Sequence, residues 1–253
     1  MKNVITIFIV MFGCFTSINA AEFRDGVYIG IGITKQSGSI DRPNTHAEEE
    51  DPQEIKGTDL DNDVSPIIAI GYDKILNQFL VSIEIRGTID GSRGSEINKW
   101  DRYYYGEQGE IYGHSFGSKR LITEIPLSGE IRLKLGVLPR ENLAISLIGG
   151  GIVTAVTNNV YAEDSFTYHN RNDLSITDTE SDTYTSTEQL FGSGYLIGGE
   201  VKWQASKHWA VTTEVVWKEI ALWTSNDAGS NPTSRNEQTI SGMSGGVMIS
   251  FKF

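Results

Sequence analysis

The sequence predicts an all-β fold, an eight-stranded antiparallel up-and-down β-barrel, and three observations lead to it. Large apolar residues alternate with small or charged residues in eight segments, with the period of two that a β-strand requires. The connections between these segments are alternately short and long. Large aromatic residues stand beside the short connections, on the apolar side of the strands. These patterns describe one closed sheet whose two faces and two ends differ.

Each strand is predicted from its own alternation. In the first, residues 27–34, aliphatic side chains occupy the odd positions, while Tyr28, two glycines and Thr34 occupy the even ones. The fifth begins at Leu143, and its alternation blurs at glycines 149–151, where a bulge that exchanges the two faces is expected. The other six strands are predicted near 64–73, 79–86, 127–137, 195–203, 209–218 and 246–253.

Charged residues of both signs lie on the face opposite the aliphatic one. A soluble sandwich or barrel would bury the aliphatic face and expose these charges to water. The glycines that share the charged face instead suit the narrow interior of a small closed barrel, where opposite charges pair. We therefore predict an interior ion-pair network that contains Glu84, Arg86, Glu130, Arg132, Lys134, Glu200, Lys202, Glu214 and Lys218.

Connection length distinguishes the two ends of the barrel. Short turns are predicted at Asp73–Gln78, Pro139–Asn142 and Ala205–His208, and long polar segments at about 38–63, 90–124, 157–192 and 225–240. Membrane barrels of this size have short periplasmic turns and long extracellular loops. The sequence therefore predicts a transmembrane barrel whose aliphatic face meets lipid. Its last strand is expected to pair with the first, because an unpaired edge is costly in hydrocarbon.

Aromatic residues mark the expected membrane margins. A girdle at the turn end is predicted from Tyr72, Phe79, Trp203, Trp209 and Phe251, since amphipathic rings prefer the depth of the lipid headgroups. Tyr195 and Trp217 are candidates for the opposite girdle. The chain ends with an alternating strand that finishes on the aromatic Phe253.

Residues 1–20 are predicted to be a secretory signal peptide, which leaves residues 21–253 as the barrel domain. Lys2 precedes an apolar run, Val4 to Phe15, and cleavage is expected after Ala20. The run is too short to span a bilayer as a helix. The only cysteine, Cys14, lies inside this segment, so no disulfide is expected in the mature chain. Without Lys2 the chain has 20 basic and 33 acidic residues, which argues against a nucleic-acid partner.

The signal peptide, the alternating strands and the final Phe253 resemble those of the small eight-stranded outer-membrane barrels of Gram-negative bacteria, the OmpA-like transmembrane and opacity-protein group. The resemblance covers residues 21–253. It implies that Phe253 belongs to the signal that the barrel-assembly machinery reads. It also implies a monomer in the outer membrane, in contact with lipid and lipopolysaccharide, with no cofactor.

The long segments are the candidates for contact with a ligand. The acidic stretch 59–63 resembles the start of a calcium loop, but Val64 and Ile70 stand where that loop needs Gly and Glu, so no metal site is predicted. Segment 157–192 has few aliphatics and is expected to be mobile or only locally ordered. The aromatic segment 100–112 is either a binding surface or a hairpin that extends two strands, or both.

Three functions are compatible with this sequence. The first is a plugged barrel that acts as a surface-exposed structural or interaction protein, of the adhesin or surface-antigen type, through four loops whose ligand is unknown. The second is a narrow porin-like channel. The third is an enzyme that modifies lipid A, but no motif joins any of the four histidines, His46, His114, His169 and His208, to a nucleophile. No catalytic residue is therefore predicted, and the protein is not expected to be an enzyme.

Overall fold

The computed structural model describes residues 22–41, 58–61, 64–105, 111–169, 176–224 and 238–253. The predicted signal peptide lies outside these residues. The described part of the chain contains no helix that is long and apolar enough to cross a membrane. It contains nine strands: β1 (Gly26–Asp41), β2 (Thr58–Asp61), β3 (Ser65–Leu76), β4 (Phe79–Tyr105), β5 (Ile111–Arg140), β6 (Leu143–His169), β7 (Ile176–Gln204), β8 (Trp209–Thr224) and β9 (Gln238–Lys252).

Eight of these strands form a closed ring. β1 and β3 to β9 pair antiparallel with their neighbours in chain order, and β1 pairs with β9 from Tyr28↔Lys252 to Asp41↔Thr239. The short β2 lies at the end of β3 and pairs with both β1 and β4. The predicted eight-stranded antiparallel barrel, closed by its first and last strands, is therefore confirmed.

The two faces of the sheet are inverted relative to a soluble protein. Aliphatic side chains point outward, with Ile31 66% and Leu147 74% exposed. Charged side chains point inward, with Glu84 0% and Arg132 1% exposed. Since exposed aliphatic surface on this scale is unfavourable in water, the outer surface requires a hydrocarbon environment. The alternation predicted the orientation of these side chains correctly.

Tight turns close one end of the barrel, which we call the turn end. The β3–β4 turn is Asn77–Gln78, with a left-handed φ of 57° at Asn77, and the β5–β6 turn is Glu141–Asn142. The β7–β8 connection occupies Ala205–His208, as predicted. The first turn is shorter than the predicted 73–78, so Asp73 belongs to β3 and is buried in the lumen.

At the opposite end, β4 to β7 rise beyond the rest of the barrel as a four-stranded sheet. β4 and β5 pair up to Tyr105↔Ile111, and β6 and β7 pair up to His169↔Ile176. We call this sheet the blade; it consists of residues 91–105, 111–126, 154–169 and 176–189. Strands of about 15 residues reach about 50 Å.

The blade corrects one prediction and supports another. Segment 157–192 was expected to be mobile or only locally ordered, but it is paired with β5, β6 and β8 along nearly all of its described length. Threonine and tyrosine favour strands, and this propensity outweighs the scarcity of aliphatics. The predicted extension of segment 100–112 as a hairpin is correct; its tip, residues 106–110, lies outside the described residues.

The bulge also differs from the prediction. β6 pairs with both neighbours through Gly149–Gly151 without a shift in register. The register shifts instead around Pro126 on β5. In the pairing of β5 with β6 the shift lies between Glu124 and Leu127, and in the pairing of β5 with β4 it lies between Ile125 and Leu127. Proline has no N–H to donate to the ladder, so it is suited to a bulge.

Candidate functional site

The lumen contains a continuous chain of eight alternating charges, which we call the belt. Four acids and four bases contribute, so its formal charge is zero. In order of contact the belt runs Lys218, Glu130, Arg132, Glu214, Arg86, Glu84, Lys134, Glu200. All eight are buried, and all eight belong to the nine residues that the sequence suggested for this network.

The belt crosses the lumen rather than following the wall. Arg86 on β4 donates from Nη2 to Glu214 Oε2 on β8 at 2.9 Å, and these two strands stand on opposite sides of the ring. Arg132 donates from Nη1 to the same oxygen at 2.8 Å. Lys134 Nζ reaches both Glu84 and Glu200 at 2.8 Å. Salt bridges that span the diameter fill the interior of the barrel.

A second charged layer lies nearer the turn end. The ninth predicted residue, Lys202, contacts Asp73 Oδ2 at 2.6 Å, and Lys252 contacts the same oxygen at 2.8 Å. Tyr28 links this layer to the belt, because its ring lies 4.1 Å from the Lys202 ammonium and its hydroxyl donates to Glu84 Oε2 at 2.7 Å. The sequence did not indicate Asp73 as a member of this layer, because the predicted turn began at this residue.

Gly71 makes room for this tyrosine. A Cβ on Gly71 would lie 2.5 Å from the Tyr28 hydroxyl and 2.7 Å from the carbonyl oxygen of Ile83. The interior glycines predicted at 30 and 32 are crowded in the same manner by Met248. The absence of a side chain at these glycines therefore leaves room in the lumen for Tyr28 and Met248.

The segment before β1 closes the barrel at the turn end, and we call residues 22–25 the latch. Phe23 is buried against Leu80 and Ala144, and its N–H donates to the carbonyl of Glu141 at 2.9 Å. Asp25 accepts the N–H of Ile75 at 2.7 Å. Lys252 donates to the carbonyl of Arg24. The latch is thus joined to the β5–β6 turn, to the end of β3 and to the last strand.

The Asp25 carboxyl has a lowered pKa. A hydrogen bond from the Lys74 ammonium, together with that from the Ile75 N–H, holds this pKa below its ordinary value. The carboxyl is exposed, so the pair fixes the position of the latch more than it stabilises the fold.

An aliphatic plug fills the lumen above the belt. It consists of Ile40, Leu60, Ile125, Ile148, Ile152, Val156, Leu190, Leu196, Val216, Ile220, Leu222 and Ile240, all of them buried. The sequence did not indicate most of this plug, and four of its members, Ile40, Leu60, Leu190 and Ile240, lie in segments that were predicted to be long polar connections. The continuous inward alternation of β6, from Ala144 to Asn158, was the available signal.

Aromatic residues surround the barrel at two levels. At the turn end Phe251 contacts Trp209 and Phe253, with ring centroids 5.0 and 5.3 Å apart, and Tyr72 and Phe79 are exposed on the same margin. Trp203 is partly buried on β7. At the other margin the ring centroids of Tyr195 and Trp217 are 5.6 Å apart. Phe191 and Trp223, which the sequence reading did not single out, pair directly above them.

The two faces of the blade carry separate aromatic clusters. On the outer face the rings of Tyr103 and His114 stack at 4.3 Å, and Phe116 lies 5.4 Å from His114. On the inner face, which continues into the lumen, Phe166 lies 5.4 Å from Tyr104 and 4.7 Å from Tyr168. From the sequence, segment 100–112 was recognisable only as a run of aromatic residues, and the division of its rings between two faces was not.

The histidines occupy different places. His114 Nε2 lies 2.5 Å from Asp101 Oδ1, a pairing that the sequence did not suggest. His208 Nδ1 lies 2.9 Å from the carbonyl oxygen of Lys252 at the turn end, and His169 is the last residue of β6. His46 is outside the described residues. Within the described ranges, no group of three or more His, Cys, Asp or Glu residues is suited to hold a metal ion.

The protein has a closed ring of eight strands, an aliphatic outer surface between two aromatic margins and an interior filled by ion pairs. These features define a small transmembrane β-barrel of the outer-membrane type.

No family model and no curated protein matches the sequence. Similar solved structures include the attachment invasion locus protein Ail of Yersinia pestis (10% identity, 90% of this chain and 100% of that chain, TM-score 0.29). The outer membrane protease OmpT of Escherichia coli is 12% identical over 91% and 99% of the chains, with a TM-score of 0.42. The outer membrane protein OprG of Pseudomonas aeruginosa is 10% identical over 94% and 99%, with a TM-score of 0.37. The fold assignment rests on this chain's own strands.

Proposed function

We propose that this protein is an outer-membrane barrel with a sealed lumen that acts at the cell surface through its blade, as a structural or interaction protein of the adhesin or surface-antigen type. The turn end then faces the periplasm, and the blade faces the outside. The observation that carries the proposal is the charge belt across the lumen, because a barrel filled by paired side chains leaves its extended sheet as the part that can meet other molecules.

Two further seals support this proposal. The latch packs Phe23 into the periplasmic mouth, and the aliphatic plug fills the lumen above the belt. A solute would have to displace apolar side chains at two levels and break ion pairs between them. Removing one partner from a buried pair costs about 3–5 kcal/mol, so thermal motion opens such a path rarely.

Conductance in planar bilayers tests the seal. The purified mature protein is expected to give no current on the scale of open porins. Protease treatment of intact cells tests the topology, with cuts expected in the blade and the other long segments and none in the turns. A steady porin-scale current, or cuts at the turns only, would contradict the proposal.

A narrow channel is the second candidate, and one observation favours it. Ser128, Ser146 and Thr212 have buried hydroxyl oxygens with no hydrogen-bond partner among the described residues. Buried hydroxyls of this kind suit internal water, and a file of water is the minimum that a conducting path needs. Glu214→Ala and Arg132→Ala would then change a small current. Absence of current both before and after these changes rejects the channel.

A further inference from the structure

One edge of the blade is formed by β4, whose upper part lies beyond the reach of β2. β2 pairs with β4 at Arg93 and Gly94, and β4 continues from there to Tyr105. Among the described residues, β5 is the one strand that pairs with residues 97–103. An exposed strand edge of this kind is a template for pairing with another strand.

The opposite edge of the blade, on β7, is partly closed by its own side chains. Asp178 accepts the N–H of Thr179 at 2.8 Å, and Asp182 accepts the N–H of Thr183 at 2.8 Å. These bonds occupy N–H groups that an added strand would need, so they oppose edge-to-edge pairing on this side. The β4 edge is therefore the better candidate for strand addition.

The outer face of the β4 edge is complementary to itself. Alternate positions of this strand carry exposed side chains, Ile97, Lys99, Asp101 and Tyr103. When two copies of the strand pair antiparallel around position 100, Lys99 of each copy lies opposite Asp101 of the other. Ile97 then lies opposite Tyr103. Opposite charges and aromatic–β-branched pairs that face each other directly stabilise a sheet.

Neighbouring registers lack this complementarity. A pairing centred on position 99 or 101 places two lysines or two aspartates opposite each other, which destabilises a sheet. A pairing centred on position 98 or 102 leaves both charges opposite uncharged residues. A centre at position 97 would set Asp101 against Arg93, where β2 already pairs with β4. The charges therefore favour position 100 as the centre.

Asp101 can serve this pairing while it keeps its contact within the chain. Its Oδ1 lies 2.5 Å from His114 Nε2, and its side chain is 69% exposed. A carboxylate has acceptor sites on both oxygens, so an ammonium from a second copy can be added to this contact. The stacked rings of Tyr103 and His114, 4.3 Å apart, hold the outer face of the edge in a fixed arrangement.

The direction of β4 decides where the second copy lies. β4 runs from the turn end to the tip of the blade, so an antiparallel β4 of another copy runs from that copy's turn end in the opposite direction. The second barrel therefore lies beyond the tip of the first blade, in a different membrane. Such an interface is isologous, because the same patch contributes from both copies.

We propose that the blades of two copies on facing membranes pair edge to edge along residues 97–103, with β4 beside β4. The contact is homophilic and joins two outer membranes. Its specificity comes from the two Lys99–Asp101 pairs, and its apolar contacts come from Ile97 and Tyr103. The inference rests on the proposed function, since it names the partner of the same blade.

Association of lipid nanodiscs that carry one copy each tests the proposal, because two copies then meet only across two bilayers. Donor-labelled and acceptor-labelled discs of the unchanged mature protein are expected to show energy transfer at about 0.15 M salt. Lys99→Glu sets two pairs of like charges across the interface, and Asp101→Lys does the same. Each variant alone is expected to associate at least about fivefold more weakly.

Mixing the two variants tests the register itself. Donor discs with Lys99→Glu and acceptor discs with Asp101→Lys regain both opposite-charge pairs, so association is expected within about twofold of that of the unchanged protein. Lys119→Glu, the same charge reversal on the inner face of β5, is the matched control and is expected to leave association unchanged. Retained heat-modifiable migration in electrophoresis verifies that each variant is folded.

Four outcomes would overturn the proposal. They are no energy transfer between discs of the unchanged protein, equal weakening by Lys99→Glu and Lys119→Glu, no association of the mixed variants, and energy transfer only when two copies share one disc. The last outcome would assign the edge to a contact within one membrane. None of these outcomes affects the sealed lumen or the exposure of the blade, which conductance and protease treatment test separately.

Discussion

Arg86 illustrates what one side chain contributes inside this barrel, because it joins two carboxylates on opposite sides of the lumen. Arg86→Met would remove these bonds, although Glu84 keeps Lys134 and Glu214 keeps Arg132. We expect the free energy of unfolding to fall by about 3 kcal/mol, the lower end of the cost of breaking a buried pair, because each carboxylate keeps one cation. Urea unfolding in lipid vesicles measures it.

Arg93→Met is the control for this prediction. Arg93 pairs with Glu124 at 3.3 Å, but both side chains are about half exposed. An exposed pair contributes about 0–1 kcal/mol, so the loss should be at least threefold smaller. Equal losses of unfolding free energy in Arg86→Met and Arg93→Met would mean that burial does not strengthen the ion pairs of the belt.

Two adjacent glycines on β6 provide a second matched test. Gly150 faces the lumen, where a Cβ would lie 2.2 Å from the carbonyl oxygen of Ile131, whereas a Cβ on Gly149 meets nothing within 4 Å. Gly150→Ala is expected to destabilise the barrel by about 1–3 kcal/mol, because backbone must shift. Gly149→Ala should be neutral or slightly stabilising, since alanine loses less backbone entropy than glycine. Thermal unfolding in detergent distinguishes them, and a larger loss at Gly149 would contradict the assigned faces.

At the scale of elements, the latch is a short segment with a distinct role. Phe23→Ala removes the ring that covers Ala144, at a cost of about 3 kcal/mol for a buried phenylalanine. In the Ala144→Cys background we expect maleimide labelling to be slow, and at least about tenfold faster when Phe23→Ala is added. The mature chain has no other cysteine if cleavage occurs as predicted, which makes the readout specific.

Two controls accompany this test. Lys207→Cys lies in the exposed β7–β8 connection and should be labelled at the same rate with or without Phe23→Ala. Phe23→Leu keeps an apolar side chain in the mouth and should preserve slow labelling of Ala144→Cys. Rapid labelling in the presence of the native Phe23 would mean that the latch does not close the turn end.

The elements also show how far the sequence could be read. Alternation predicted the strands that cross the lipid, because there each residue meets either hydrocarbon or lumen. It failed above the membrane, where both faces of the blade meet water and the pattern loses contrast, as in 157–192. The belt members were recognisable from strand parity, but their partners were not: Arg86 and Glu214 are 128 residues apart and meet only when the ring closes. Phe23 gave no signal, since it precedes the first strand.

At the scale of the whole molecule, closure links the two ends of the chain. β1 and β9 pair along fourteen residues, and the N–H of Phe253 donates to the carbonyl of Val27 at 3.1 Å. Lys252 contacts both the latch and Asp73, so the last strand completes the turn-end layer as well as the wall. The belt, the lower layer and the latch therefore form fully only in the closed ring, which makes assembly of the seal cooperative with closure.

Phe253 allows assembly and stability to be separated. Its side chain is 71% exposed and contacts Phe251, so Phe253→Ala removes little buried area, and we expect unfolding in detergent to change by less than about 1 kcal/mol. If the terminal ring is read by the barrel-assembly machinery, as the family resemblance implies, the yield of folded protein in the outer membrane should still fall severalfold. Heat-modifiable migration of membrane fractions measures that yield, and spontaneous refolding into detergent provides the control. If Phe253→Ala and the unchanged protein give equal yields in cells, Phe253 has no role in assembly. If Phe253→Ala lowers the yield equally in cells and on refolding in detergent, Phe253 contributes to stability instead.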